Sequence, residues 1–523
     1  MTGHVRDVHC CESLTFRMEE DYLRNIERGN SDESEDSWSH WDSSLDISSL
    51  GEDYRAGIRP QVVAQAIFER IEASKQNQPS TWIHLQSLDD VLLATAEILE
   101  RWPDENDRPP LWGIPFSVKD SIDVAGIPTT VGCPAIAFIP STSASIYQKC
   151  IDAGGIFIGK TNMEQLATGM TGCRSPYGTL HSTFSNDHIV GGSSSGSAVS
   201  VSEGLVSFSL GSDTAGSIRI PALFNGLVGF KPTKGTVSAK GVFPACLHHD
   251  CVSFLTLTIK DAETVWNICK GYDKKDLFAK SLVNASTQST VLESVEYETP
   301  SSQKLRFRFG TPPTQDLAAC SSSYRQMFSQ TVQALQGVGG KLVDLDWAPF
   351  AAANELLYGS FVLERLTTLP EGWFEENKQL LHPVTRQVLE GANARQTTAV
   401  DLFRDLHRQA EYKRTVEDIL KIEKDGEMTV MVVPTAPSHP MIDEVEQDPL
   451  GTNTKLGTFA HFANVLDLVG IAIPCGAYEK EDREGNILRL PFGITILAGC
   501  GLDLHLLNLS KQLEDALIDL GQD

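Results

Sequence analysis

Residues 191–221 read GGSSSGSAVSVSEGLVSFSLGSDTAGSIRIP. Two serine-glycine clusters bound the stretch, Gly191 to Gly196 and Gly211 to Ser217. Glycine lets a backbone take positive φ and approach other groups closely. Successive N–H groups in such a turn converge on an anion. A serine that closes the turn is placed to attack a carbonyl whose oxyanion those donors hold. Between the clusters, Ala198 to Leu210 is small and apolar, a pattern for a buried helix or strand. A flexible linker has no use for Val199, Val201, Leu205, Val206, Phe208 and Leu210 between its glycines. A phosphate-binding loop needs Lys followed by Ser or Thr after its second glycine, and neither cluster has that pair.

Outward from this stretch, strand and helix patterns alternate. Arg59 to Lys75 and Asp89 to Arg101 carry apolar residues at helical spacing. Leu111 to Val118 reads as a buried strand, Ala144 to Ala153 as a helix, and Gly155 to Gly159 as the next parallel strand. Arg174 to Gly178 is a tight turn before the first cluster. Further on, Ser322 to Leu335 and Thr397 to Ile422 read as helices and Thr429 to Pro434 as a buried strand. Glu479 to Arg489 is a charged hairpin tip, and Asp503 to Leu520 is a closing helix. Such alternation predicts an α/β fold with a largely buried sheet.

Gly191 to Pro221, ending in Ser217-Ile218-Arg219-Ile220-Pro221, resembles the amidase signature family of serine hydrolases. Gly113 to Asp120 resembles the family's apolar strand leading to a lysine. The resemblance implies a mixed, twisted central sheet covered by helices on both faces. It implies three catalytic residues: Lys119, the bridging Ser193 and the nucleophile Ser217. Ser193 and Ser217 stand 24 positions apart (217 − 193), and Lys119 precedes Ser193 by 74 (193 − 119), in keeping with the family. Serine is a weak nucleophile without an adjacent base. Lysine serves as that base only when neutral, and burial in an apolar strand favours the neutral form. The backbone N–H groups of Thr214, Ala215, Gly216 and Ser217 are the expected oxyanion donors. Asp213 and Arg219 are expected to brace the turn as paired charges rather than to react.

Several pieces are similar to allophanate hydrolases within that family: Ala167 to Gly169 with Arg174 to Gly178, Gly241 to Cys246, Asp250 to Val252, and Leu357 to Gly359 with Glu364-Arg365. The likeness implies that Tyr358 and Arg365 hold a substrate carboxylate, a task that suits the planar guanidinium. A helix-surface pair between Arg365 and Glu364 is the plain structural alternative. The expected reaction is hydrolysis of a small carboxylate-bearing amide, allophanate first, with ammonia released. A different small amide, or an ammonia-transferring component of an amidotransferase, stays open beside it. The sequence ends at Asp523, where many allophanate hydrolases continue into a domain that handles the carboxylated product.

Composition narrows the rest. The 523 residues are 41% hydrophobic and 21% charged, an ordinary globular balance. A net charge of −26 argues against nucleic acid as partner. Eleven cysteines at irregular spacing suggest neither a disulfide framework nor a zinc site. His248-His249 has no Glu or third His at helical spacing, so no metal is expected. No cofactor is implied. Met1 to Arg28 lacks the apolar core of a secretory signal, and no run approaches a membrane span. A cytoplasmic enzyme, with homodimers common in the family, is the expectation. Residues 1–48, acidic and serine-rich, read as a disordered tail, with a short docking or phosphorylated segment anchored by Trp38 and Trp41 as the alternative. Residues 49–523 read as one amidase domain, with a catalytic core at about 111–260 and a substrate-covering part at about 320–523. Ser289 to Pro313 reads as a variable loop region around a strand-like Leu305 to Phe309.

Overall fold

Phe208–Asp213, the apolar end of the quoted stretch, forms a strand deep inside the sheet. A computed structural model describes residues 41–280 and 306–518. In chain order its strands are β1 (Trp82–Leu85), β2 (Pro115–Lys119), β3 (Ile156–Thr161), β4 (His181–Ser182) and β5 (Ser185–Ile189). There follow β6 (Phe208–Asp213), β7 (Val228–Lys231), β8 (Cys251–Thr256), β9 (Phe307–Gly310) and β10 (Gly340–Leu342). The last are β11 (Met428–Pro434), β12 (Val469–Glu481) and β13 (Ile487–Ala498). Eleven of them make one mixed sheet in the order β1-β3-β2-β6-β8-β7-β12-β13-β11-β9-β10, and β4 pairs with β5 apart from it.

Every residue of β2, β3, β6, β8 and β11 is buried. Consecutive buried residues in a strand mean that both sheet faces are covered. The helix Ser195–Ser202 packs on β2, β3, β6 and β8, Ile259–Cys269 on β7 and β8, and Asp503–Ile518 on β12 and β13. Phe116 of β2 stacks on Phe208 of β6 with centroids 5.4 Å apart. The apolar run predicted as one helix or strand is both in turn: Ser195–Ser202 as helix, then Phe208–Asp213 as strand.

β3, β2 and β6 are parallel neighbours, with Phe116, Ser117 and Val118 opposite Phe208, Ser209 and Leu210. Their C-terminal ends therefore lie on one edge, where open α/β sheets bind ligands. That edge carries Lys119 from β2, Thr161 from β3 and Asp213 from β6. The first serine cluster comes down on it closely. A Cβ at Gly196 would stand 2.4 Å from the Thr81 carbonyl oxygen and 2.6 Å from the Asn162 nitrogen, so only glycine fits.

The folded part begins earlier than residue 49. Leu45 is buried, and Asp46 caps the helix Ile47–Arg55 by accepting from Ser49 N–H at 2.9 Å. Ile47 N–H donates to the Asp261 carboxylate at 3.0 Å. The described residues from Ser43 on belong to one compact unit. The rest of the expected tail, residues 1–40, lies outside the described residues, as does Ser289 to residue 305 of the expected loop. No described helix is long and apolar enough to cross a membrane. The nine described cysteines are free thiols.

Candidate active site

Lys119 ends β2 with its side chain fully buried. Its Nζ lies 2.7 Å from Ser193 Oγ, 3.1 Å from Ser212 Oγ and 3.4 Å from the Ser212 carbonyl oxygen. Burial drives its pKa from 10.5 down to about 7, against the opposing pull of the Asp250, Asp213 and Glu164 carboxylates. A free amine donates two hydrogen bonds and accepts one. Ser212 supplies two acceptors, which leaves the lone pair for the Ser193 hydroxyl.

Ser193 sits in the turn opening the first cluster, after a cis Gly192–Ser193 peptide bond. Backbone bonds pin this turn: Gly191 N–H to Thr171 O at 3.2 Å, Gly192 N–H to Met170 O at 2.9 Å, and Glu164 N–H to Ser193 O at 3.0 Å. The Glu164 carboxylate braces it from behind, accepting from Thr171 N–H at 2.9 Å, from the Thr171 hydroxyl at 2.7 Å and from Gly172 N–H.

The turn after β6 carries Ser217, which is 3% exposed. Asp213 lies under that turn. Its carboxylate accepts from Gly216 N–H at 2.8 Å and Ile218 N–H at 3.2 Å, and from Arg219 Nε and Nη2 at 3.0 and 2.9 Å. Burial pushes the Asp213 carboxyl up, but the Arg219 guanidinium and its hydrogen bonds outweigh that and hold it at about 2. Asn464 completes the brace, accepting from Arg219 Nη2 at 2.9 Å and donating to the Asp213 carbonyl at 2.6 Å. The expected pairing of Asp213 with Arg219 is thus present. The expected set of oxyanion donors changes, because Gly216 N–H already serves Asp213. Among the described residues no acceptor stands against the N–H groups of Thr214, Ala215 and Ser217.

Ser217 and Ala215 open into a cavity of about 510 Å³, counting its mouth. Tyr358 and Arg365 line the same cavity. Arg365 does not pair with Glu364. Its Nη1 donates to Thr168 Oγ1 at 3.0 Å and approaches the Leu166 and Ala167 carbonyls at 3.4 Å. The Tyr358 hydroxyl is held between His461 Nε2 at 3.2 Å and Asn453 Nδ2 at 3.3 Å. Burial, then Arg219, lowers the His461 pKa to about 3, so its imidazole is neutral.

The family model described as Amidase matches residues 63–507, a span that contains Lys119, Ser193, Ser217, Tyr358 and Arg365. The chain belongs to the amidase family. This amidase is 35% identical to the urea amidolyase of Saccharomyces cerevisiae over 442 residues, 83% of the chain. It spans about a fifth of the length of the urea amidolyases it matches, 22% and 21% of them. It is 29% identical to the indoleacetamide hydrolase of Pseudomonas savastanoi, with 78% of this chain and 84% of that one covered. One component of the glutamyl-tRNA(Gln) amidotransferase of Prochlorococcus marinus is also 29% identical, with 78% of this chain and 85% of that one covered. The solved allophanate hydrolase of Kluyveromyces lactis superposes with a TM-score of 0.76 at 29% identity. The match covers 92% of this chain and 73% of that chain.

Three parts of the amidase site escape sequence reasoning. Arg174 is legible in sequence as part of a turn and of a stretch similar to allophanate hydrolases, with no role of its own. It lines the cavity and donates to the Thr168 and Pro449 carbonyls at 2.8 and 2.9 Å, beside Glu164 at 3.6 Å. Asn453 and Asn464 arrive from far along the chain; no motif marks Asn453, and Asn464 opens a stretch, Asn464 to Leu468, that resembles allophanate hydrolases without showing its role. Glu364 reaches the His248-His249 pair, a partner that a search at helical spacing does not find.

Proposed function

We propose that this amidase hydrolyses a small amide ending in a carboxylate, allophanate first, through Lys119, Ser193 and Ser217. The observation that carries the reading is the shared cavity of Ser217 and Arg365, with a buried lysine of lowered pKa 2.7 Å from Ser193. Neutral Lys119 takes a proton from Ser193, Ser193 takes one from Ser217, and Ser217 attacks the amide carbon. The N–H groups of Ala215 and Ser217, with Thr214 beside them, receive the oxyanion. Each such donor contributes roughly 10²–10³ in rate. The relay returns the proton to leaving ammonia, and water then opens the acyl-enzyme by the same route. From allophanate the acyl product is N-carboxycarbamate, which decarboxylates.

Arg365 is the group assigned to the substrate carboxylate, with Tyr358 beside it. Thr168 and the Leu166 and Ala167 carbonyls take Nη1, and the N–H groups of Nε and Nη2 have no described protein acceptor. This selects against neutral amides of the same length. The reading carries with it a cytoplasmic homodimer without a cofactor, and light scattering on the purified protein checks the dimer.

The likeness to the amidotransferase component favours a second substrate, glutamine, which also pairs an amide with a carboxylate. Ammonia release from allophanate, malonamate, acetamide and glutamine separates the readings, with Ser217→Ala as control. Release from allophanate that disappears in Ser217→Ala supports the first reading. Release from glutamine instead supports the second, and release from acetamide alone removes the role of Arg365.

A further inference from the structure

Behind the wall of the active cavity lies a second group of reactive side chains. Cys246 lines the cavity of Ser217, and its Sγ lies 3.2 Å from His249 Nδ1 and 2.8 Å from Glu364 Oε2. The three ligand atoms lie within 4.8 Å of one another. Cys246 and His249 are buried, at 1% and 2% exposure, and Glu364 is half-buried. The other carboxylate oxygen, Glu364 Oε1, accepts from His248 Nδ1 at 2.6 Å and from His248 N–H at 3.2 Å. A separate outer cavity lined by His248, His249, Phe361, Glu364 and Leu402 leads to the group.

A thiolate, an imidazole and a carboxylate form a borderline-soft donor set with one coordination position left over, the preference of zinc-class ions. We propose that Cys246, His249 and Glu364 bind a divalent cation of the zinc class, with His248 holding the carboxylate from outside. Around a tetrahedral zinc, with Zn–S about 2.3 Å and Zn–N about 2.0–2.1 Å, neighbouring donors stand roughly 3.5 Å apart. The present separations of 3.2 and 2.8 Å reach that value by opening less than ~1 Å. Glu364 is placed to give way, because it stands on a four-residue helix, Glu364–Thr367, at the edge of the outer cavity. That cavity also supplies the entry path and the fourth position.

Binding balances as follows. The Cys246 S–H bond breaks, its proton leaves to solvent, and the electron pair on sulfur goes to the ion. The His249 proton moves to Nε2 and frees Nδ1. Gln409, whose Nε2 is 3.3 Å from His249 Nε2 and also serves the Val465 carbonyl at 2.8 Å, turns aside. The dication meets two negative ligands and one neutral one. An ion there ties the loop carrying Cys246 and Asp250 to the helix carrying Arg365, across the wall of the cavity that holds Ser217.

The test reads the metal directly and does not depend on which amide is the substrate. The reduced, chelator-stripped protein is titrated with Co²⁺, and the thiolate-to-cobalt charge-transfer band is followed. One equivalent is expected to develop the band, and Zn²⁺ is expected to displace it. Cys246→Ser removes the band, while the near-isosteric Glu364→Gln, which removes a charged ligand, weakens Co²⁺ binding by at least the roughly 10- to 100-fold that loss of an outer partner costs. Cys10→Ser/Cys11→Ser/Cys500→Ser keeps the band, which excludes the vicinal thiols next to His9 and the exposed Cys500. No band in the unaltered protein, or a band that survives Cys246→Ser, overturns the proposal.

Discussion

Arg365 gives one edge of its guanidinium to Thr168 Oγ1 at 3.0 Å, while its chain neighbour Glu364 turns its carboxylate to His248 at 2.6 Å. Arg365 is therefore oriented by neutral oxygens and keeps its charge for the cavity. Replacing it with alanine removes charge-assisted hydrogen bonds worth about 1.5–3 kcal/mol. Arg365→Ala is expected to raise KM for allophanate roughly 10- to 100-fold with a smaller change in kcat. Arg365→Lys recovers only part of this, since an ammonium lacks the planar fork. Steady-state ammonia release checks both. Equal losses on acetamide and allophanate contradict a carboxylate-binding role.

Lys119 works as a base only in its neutral form. Its pKa, lowered to about 7, predicts a kcat/KM that rises as pH rises through about 7 and levels off above it. With an ordinary lysine the rise would come near 10.5. Lys119→Ala is expected to lose about 10²–10⁴ in kcat, the usual contribution of a positioned base. A flat pH profile between about 6 and 9 in the unaltered protein counts against the relay.

Asp213 holds five donors with one carboxylate, all of them buried. Asp213→Asn leaves the Arg219 guanidinium without its counter-charge, which costs about 3–5 kcal/mol. Urea unfolding measures this. The unaltered carboxyl has its folded pKa below the ordinary 3.8, at about 2. Its stabilisation is complete above 3.8 and is lost as pH falls toward 2. Acid unfolding of Asp213→Asn therefore lacks that component.

Gly196→Ala tests the close seat of the first serine cluster. The added methyl would meet Thr81 and Asn162 backbone atoms at 2.4 and 2.6 Å. Backbone cannot swing aside as a side-chain tip can, so a destabilisation of about 1–3 kcal/mol is expected. Activity is expected to fall with it, because Ser193 shares that turn. Thermal unfolding and ammonia release together check the pair of effects.

Local periodicity makes the central strands legible. The run at Gly155 to Gly159 overlaps β3, Thr429 to Pro434 falls within β11, and the expected helix from Ser322 is Ser322–Gly337. Leu111 to Val118 is too long at its start, because Gly113 takes φ +75° and breaks the extended chain before Pro115. Ser193 and Ser217 stand out because serine-glycine clusters mark tight turns, and Lys119 stands out only through the resemblance of Gly113 to Asp120 to the amidase signature family. The remainder is hidden because it is tertiary. Gly216 N–H looks free in sequence, yet the acceptor that takes it, Asp213, is set by the bend of the turn. Glu364 lies 118 positions from Cys246, beyond the reach of any spacing rule.

The most direct test of the relay is to quench the enzyme during turnover of allophanate and map the acyl group by peptide mass spectrometry. The account predicts the adduct on Ser217, its accumulation abolished in Ser217→Ala, and ammonia released no later than the adduct forms. An adduct on Ser193 or Cys246, or turnover that continues in Ser217→Ala, contradicts it.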